Sequence, residues 1–274
     1  MRRSSFLNII FIVIILIFVL YPFYAMFIAS LKSPQELYNI KANPFCVQKP
    51  TLNNYITLLR KTNFLHWFLN STIVTISTTI ISITVSVLAA YALARLNFIG
   101  SKVLGVGIFI VYLVPQTLLF VSLSRVINSL NLSNSLWSLI FTYPTFQIPF
   151  STWLLMGYFR SLPREVEEAA EVDGASKLKT LLKIVIPMAF PAIITVTLFC
   201  FVLSWGEMIY ALTFISESLK QTLSVGTTTE LIRGDMFYWG PLMAGGLLSA
   251  LPVVLAFSFL VDYYVSGLSA GAIK

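Results

Sequence analysis

The chain has 274 residues, of which 57% are hydrophobic and only 11% are charged, with a formal net charge of +7. This apolar fraction exceeds the roughly 45–50% of soluble domains, so the composition excludes a soluble globular protein and favours a membrane protein. The basic residues are scattered, with no run longer than Arg2-Arg3, which excludes a patch for nucleic acid.

Six apolar stretches are long enough to cross about 30 Å of hydrocarbon, which takes about 20 helical residues. The sequence therefore predicts an all-α polytopic membrane protein that forms a single transmembrane domain over residues 1–274. The six predicted spans are Phe6–Ser30, Trp67–Leu93, Val103–Leu123, Leu136–Tyr158, Pro187–Ile215 and Pro241–Tyr264. The first span is longer than the core of a signal peptide and is therefore assigned as retained. Internal prolines predict kinks or short breaks in three spans, at Pro115, at Pro144 with Pro149, and at Pro252.

The segments between the spans predict the topology. Residues 32–65 form an irregular outer loop and residues 216–240 a second outer loop, while residues 159–186 and the tail 266–274 lie on the opposite side. With both termini inside, ten of the 18 Lys and Arg residues are cytoplasmic and eight are outside, a weak bias in favour of this orientation.

Two polar residues inside the predicted spans are candidate functional residues. Burial of the Glu207 carboxylate costs roughly 2.5–3.5 kcal/mol on insertion scales, so it is expected to face the bundle interior or water. Three interpretations of Glu207 stay open: a bond between helices or a wet site near the surface, contact with a transported solute, or proton coupling. Asn70 is interpreted either as a hydrogen bond in helix packing or as a substrate ligand.

The polar interruption at residues 159–186 is predicted to form two short helices. Glu165, Glu167 and Glu168 lie near the positive end of the first helix dipole. Asp173-Gly174 predicts its end, with glycine in a left-handed cap, and Ser176 can cap the second helix. From physics alone, this elbow is either an ordinary amphipathic loop at the membrane surface or a docking surface for another protein.

Motifs for phosphate binding and metal binding are missing from the sequence. It contains no G-x-x-x-x-G-K-[ST], H-E-x-x-H or C-x-x-C. We therefore expect no enzymatic activity, metal or cofactor in this chain. If transport is driven by ATP, then ATP and Mg²⁺ are bound by another polypeptide.

The elbow also carries a family pattern. Glu168-Ala169-Ala170, followed by Gly174 and Ile184-Val185-Ile186-Pro187, resembles the EAA loop of ABC-importer permeases, with Ile186 in place of the family's leucine. The stretches TLNNY at 51–55 and FLNST at 68–72 are similar to those of the carbohydrate branch. The tail GLSAGAIK at 267–274 resembles that of the maltose-type inner subunit.

This resemblance implies a permease subunit of an ATP-driven sugar importer in the cell membrane, with cytoplasmic termini. The implied partners are a second permease that forms a heterodimer, two ATP-binding subunits, an extracellular sugar-binding protein and membrane lipid. The residues implied to couple to the ATPase are Glu168, Ala169, Ala170, Asp173, Gly174, Ala175, Ile184 and Pro187, and the implied ATPase contacts of the tail are Gly271 and Lys274. A permease for a non-sugar solute and a secondary transporter remain alternatives.

The second outer loop has two interpretations. It is either a solvated connector or, as the resemblance implies, a finger that contacts the docked sugar-binding protein. The residues expected to make that contact are Gly226, Thr227, Thr228, Thr229 and Glu230.

Overall fold

The computed structural model describes residues 2–96 and 98–270, with side chains for residues 8–96 and 98–261. Helices make up nearly all of its regular structure. The first half contains α1 (Arg2–Leu31), α2 (Pro34–Leu37), α3 (Asn53–Lys61), α4 (Phe64–Arg95), α5 (Ser101–Tyr112) and α6 (Gln116–Ser129).

The second half continues with helices and one short hairpin. Its elements are α7 (Leu136–Thr142), α8 (Pro144–Ser161), α9 (Glu165–Val172), α10 (Lys177–Thr180), a π-helical turn (Leu181–Val185), α11 (Ile186–Met188), α12 (Phe190–Trp205), α13 (Ile209–Phe214), a 3₁₀ turn (Ser218–Lys220), α14 (Leu223–Leu231), β1 (Ile232–Arg233), β2 (Met236–Phe237) and α15 (Trp239–Ala270). The predicted helical fold is confirmed, and the antiparallel β1–β2 hairpin is an addition to it.

Three helices are long and apolar enough to cross a membrane, and the number rises to five if each of two bent helix pairs is one span. The pair α5 and α6 bends by 97° at the predicted break beside Pro115, and the helices on either side of Ala189 bend by 81°. The predicted fourth span corresponds to α7 and α8, which are not among these candidates. Six spans therefore stay a prediction.

The predicted proline breaks are only partly present. Tyr143 separates α7 from α8, so Pro144 starts a helix as expected. Pro149 and Pro252 instead lie inside helices that run on without interruption. The fifth predicted span breaks at a position that carries no proline, because α12 ends at Trp205 and α13 begins at Ile209.

At the centre, α4 packs between α8 and α12, while α5 packs on α8, and α1 and α15 lie side by side. The contact face of α4 is a stripe of buried hydroxyl side chains: Ser71, Thr75, Thr78, Ser82 and Ser86. Their spacing of three or four residues places them on one face of the helix. Small residues of this kind let helices approach closely in a bilayer, where the hydrophobic effect does not drive helix association.

The first outer loop is more ordered than predicted. It contains α2 and α3, and the Asn54 amide of α3 donates to the carbonyl oxygens of Ser30 and Lys32, both at 2.8 Å. The Lys32 ammonium is itself buried and donates to the Asn43 carbonyl oxygen at 2.6 Å. These bonds fasten the loop to the end of α1, which corrects the expectation of an irregular segment.

The second outer loop is also not the unstructured segment expected from its composition. Helix α14 packs into the end of the bundle where α4 begins, and Gly226 faces the buried ring of Trp67 there. A Cβ atom added at Gly226 would lie 2.2 Å from that ring. The Trp67 indole N–H donates to the Ser218 carbonyl oxygen at 2.7 Å, which holds the ring in place.

We predict that Gly226→Ala lowers the thermal unfolding temperature of the purified protein, because over-packing in a tight interior costs about 1–3 kcal/mol. Gly107→Ala is the matched control, since an added Cβ there meets nothing within 4 Å. Alanine is otherwise the better helix former, so the control should be unchanged or slightly more stable. Equal unfolding temperatures for the two variants would contradict the contact with Trp67.

Candidate functional site

The elbow at residues 159–186 contains the two predicted short helices, α9 and α10, joined at Gly174. Helix α9 starts with Glu165, Glu167 and Glu168 in its first turn, where negative charge complements the helix dipole. The chain leaves α9 through Gly174, whose φ of +79° lies in the left-handed region that favours glycine. The Ser176 side chain then accepts from the Lys179 N–H and caps α10, as expected.

The second half of the elbow differs from a plain helix. After α10 the backbone forms a π-helical turn over Leu181–Val185, which sequence periodicity did not predict. Helical structure continues through Pro187 to Met188, and the 81° bend follows at Ala189. Pro191 lies in the first turn of α12, where its missing N–H costs nothing. The elbow is therefore joined directly to the helix that enters the bundle.

A buried ion pair fastens α9 to the end of α4. The Arg95 Nε and Glu167 Oε1 atoms lie 2.7 Å apart, and both side chains are at least nine-tenths buried. The contact is electrostatic without good hydrogen-bond alignment, because neither atom has a hydrogen-bond partner within the described residues. The Tyr91 hydroxyl donates to Glu167 Oε2 at 3.3 Å, and the Arg95 guanidinium donates to the Leu162 carbonyl oxygen at 2.8 Å.

The predicted coupling residues divide between the two sides of the elbow. Ala170 is buried, and Ala175 and Ile184 are half-buried, whereas the exposed members are Glu168, Ala169, Asp173, Gly174 and Pro187. Beside them, the elbow exposes the apolar side chains of Val166, Val172, Leu178 and Leu182. Glu167 is buried, although the family pattern did not single it out. Its ion pair with Arg95, 72 positions away in the sequence, distinguishes it from the exposed Glu168.

Glu207 caps a helix inside the chain. Its carboxylate accepts the N–H groups of Tyr210 at 2.8 Å and Ala211 at 3.1 Å, which are in the first turn of α13. The Tyr143 hydroxyl donates to the same carboxylate at 2.6 Å, and Ser224 donates to the Glu207 backbone carbonyl at 2.7 Å. This geometry favours the first of the three interpretations, a bond between helices.

Asn70 also bonds within the chain. Its amide donates to the carbonyl oxygens of Leu219 and Gln221, both at 2.9 Å. Since both donors are used, the geometry favours the packing role over a role as substrate ligand. Asn70 thereby ties α4 to the start of the second outer loop.

The residues predicted to contact a binding protein do not form one exposed surface. Gly226 and Thr227 are buried, Thr228 and Glu230 belong to the same helix, and Thr229 bonds back to the Val225 carbonyl oxygen at 2.9 Å. The most exposed part of this loop is the β1–β2 hairpin, which sequence reasoning missed. The tail residues Gly271 and Lys274 lie outside the described residues.

We predict that Glu167→Gln destabilises the elbow, because it leaves the Arg95 charge buried without a counter-charge. Breaking a buried pair in this way costs about 3–5 kcal/mol. Protease cleavage near Gly174 should become faster than in the unmodified protein. Glu165→Gln, on the exposed side of the same helix, serves as the control and should leave the cleavage rate unchanged. Similar rates in both variants would rule out the pair as the anchor of α9.

Three kinds of comparison place the chain among known proteins. Residues 1–270 match the family described as "Binding-protein-dependent transport system inner membrane component". The chain is 33% identical to the inner membrane ABC transporter permease protein YcjP of Escherichia coli, covering 94% of this chain and 92% of the relative. It is also 33% identical to the trehalose/maltose transport system permease protein MalG of Thermococcus litoralis, covering 96% and 94%.

A solved structure shares the fold. It is the crystal structure of a bacterial ABC transporter involved in the import of alginate, with a TM-score of 0.83 and 22% identity over 96% of this chain and 97% of the other. The family match extends from the first helix through the elbow to α15. The chain therefore belongs to the family of inner membrane components of binding-protein-dependent transport systems.

Proposed function

We propose that this chain is one of two permease subunits of an ATP-driven importer for a carbohydrate. The observation that carries the proposal is the elbow, a helix–glycine–helix unit that is ion-paired to α4 on one side and exposes apolar side chains on the other. A secondary transporter has no need for such a docking unit. The proposed partner is a second permease, with which the chain encloses the path.

The proposed solute class follows from the relatives. The relative from Thermococcus litoralis is named for trehalose and maltose, and a relative from Streptomyces coelicolor, 29% identical, is named for diacetylchitobiose. The solved structure of similar fold belongs to an importer of alginate. All three solutes are carbohydrates, which favours a sugar over an amino acid or a metal ion.

We assign the elbow to the cytoplasmic side, together with both termini. Two ATP-binding subunits would dock there, and they would hold ATP and Mg²⁺. The exposed apolar side chains of Val172, Leu178 and Leu182 offer area for burial, and Glu168 offers a charge for a basic partner.

The proposed solute class can be tested with the chain co-purified with its partner subunits and reconstituted into vesicles. We expect ATP hydrolysis to rise when a sugar and its extracellular binding protein are added together. Amino acids and metal ions, each with a matching binding protein, serve as controls and should leave the rate at its basal level. Stimulation by an amino acid or a metal ion instead of any sugar would show that the solute class is wrong.

The docking face can be tested by photo-crosslinking at two valines of similar exposure. Val172 is 89% exposed on the elbow, and Val103 is 75% exposed in the first turn of α5. A photoreactive residue at position 172 should crosslink to the ATP-binding subunit, whereas the same residue at position 103 should not. Crosslinks to that subunit from position 103 alone would place the docking face elsewhere.

We further propose that the β1–β2 hairpin contacts the sugar-binding protein. The hairpin turns at Gly234, whose φ is +58°, and Met236 beside the turn is 63% exposed. A hydrogen bond from the Tyr38 hydroxyl to the Phe237 carbonyl oxygen connects the hairpin to the first outer loop. The hairpin therefore replaces residues 226–230 as the proposed contact.

We predict that Met236→Ser leaves basal ATP hydrolysis intact and lowers its stimulation by the loaded binding protein several-fold, since burial of a Met side chain contributes about 1.5–3 kcal/mol. Leu52→Ser is the control, because Leu52 has the same 63% exposure and lies in the other outer loop. Dose–response curves of ATP hydrolysis against binding protein measure the effect. Identical curves for the two variants would show that the hairpin does not contact the binding protein and only connects the neighbouring helices.

A further inference from the structure

A cavity of about 570 Å³ opens between the ends of α4, α5 and α8, on the same side of the bundle as the elbow. Its opening carries three cationic side chains, Lys102, Arg160 and Arg164, which we call the basic mouth. Further along α5 and α8, Val106, Phe109 and Trp153 form an apolar wall of the same cavity. The Phe109 and Trp153 rings pack on each other with their centroids 5.1 Å apart.

No described acidic side chain forms an ion pair with the basic mouth. None of the residues that line the cavity is acidic. Lys102 and Arg164 make no side-chain hydrogen bond or ion pair with any other described residue, and the Arg160 guanidinium makes only a long contact of 3.5 Å to the Leu93 carbonyl oxygen. Three cations that share one opening repel each other, so an anion that binds between them is stabilised.

The depth of the cavity matches the edge of a bilayer. Lys102 lies in the first turn of α5 and Phe109 lies seven residues further along the same helix, which is about 10 Å at the helical rise. This separation fits a site whose charged end meets the membrane surface while its apolar wall faces the hydrocarbon. Basic pockets between transmembrane helices are the sites at which anionic lipid headgroups bind.

We propose that this cavity binds one anionic phospholipid. Its phosphate lies in the basic mouth, and one acyl chain follows the apolar wall. A soluble anion would use only the mouth and would leave the aromatic wall without a function, which is why the lipid is favoured. The inference depends on the insertion of the chain in a membrane, and it is independent of the transported solute.

The indole of Trp153 provides a direct reporter, because it lies in the wall and is 41% exposed. The chain with its partner subunits is reconstituted in vesicles of phosphatidylcholine that contain a minor share of brominated phosphatidylglycerol. A second set contains the same share of brominated phosphatidylcholine. The fluorescence difference between the unmodified protein and Trp153→Phe isolates the signal of this residue. We expect stronger quenching by the brominated anionic lipid.

Charge-removing variants distinguish binding of the lipid at the basic mouth from a general attraction of anionic lipid to the protein surface. Each cation near an anionic membrane surface strengthens the attraction about fivefold, so Arg164→Gln should weaken the preference about fivefold and the triple Lys102→Gln, Arg160→Gln, Arg164→Gln variant should abolish it. Lys183→Gln, an exposed cation on the same side, should keep the preference. The single variant preserves the test if the triple variant does not assemble.

Three results would overturn the proposal. Equal quenching by both brominated lipids would show that the cavity does not select charge. Quenching by neither lipid would show that a protein subunit covers the cavity. A preference that survives in the triple variant would place the anionic lipid at another site.

Discussion

The bundle depends on the side-chain amide of Gln147, which is completely buried where α4, α8 and α12 meet. Its oxygen accepts from the Ser82 hydroxyl at 2.6 Å, and its nitrogen donates to the Cys200 carbonyl oxygen at 3.2 Å and to the Ser204 hydroxyl. One side chain from α8 is thus bonded to both neighbouring helices. An unpaired amide in this environment would cost several kcal/mol, so the three helices are held in a single arrangement.

The same logic applies along the whole contact face of α4. Thr78 and Ser204 share a hydrogen bond of 2.8 Å, and Ser86 donates to the Ile148 carbonyl oxygen at 3.3 Å. In a bilayer the lipid is as apolar as leucine, so small side chains and hydrogen bonds specify which helices are neighbours. Arg95 attaches the elbow to one end of α4, and Asn70 attaches the second outer loop to the other end.

Much of this architecture could be predicted from local sequence. Apolar runs predict the long helices, and Pro115 predicts the break between α5 and α6. Gly174 and Ser176 predict the turn and the helix cap of the elbow. These features were predictable because each signal acts within a few residues. The pair Arg95–Glu167 could not be predicted, since its members lie 72 positions apart and Glu167 is one of three similar acids in its turn. Helix α14 was not predicted, because consecutive threonines are typical of a loop. In the structure these threonines belong to a helix that packs against the bundle. For Glu207 the sequence left three possible roles open, and the hydrogen bonds of its carboxylate favour the bond between helices.

The length of α4 has a mechanical consequence. From Trp67 to Arg95 the helix runs 29 residues without a break, which is a rise of about 42 Å and more than the thickness of the hydrocarbon. Its Arg95 end is clamped to the elbow, and its Trp67 end carries the ring against which α14 packs. An unbroken helix with fixed contacts at both ends moves as a rigid body, so a displacement of one end also displaces the other. Any shift of the elbow that preserves its clamp must therefore move the seat of α14 on the far side of the membrane, so events at the two surfaces share one moving part.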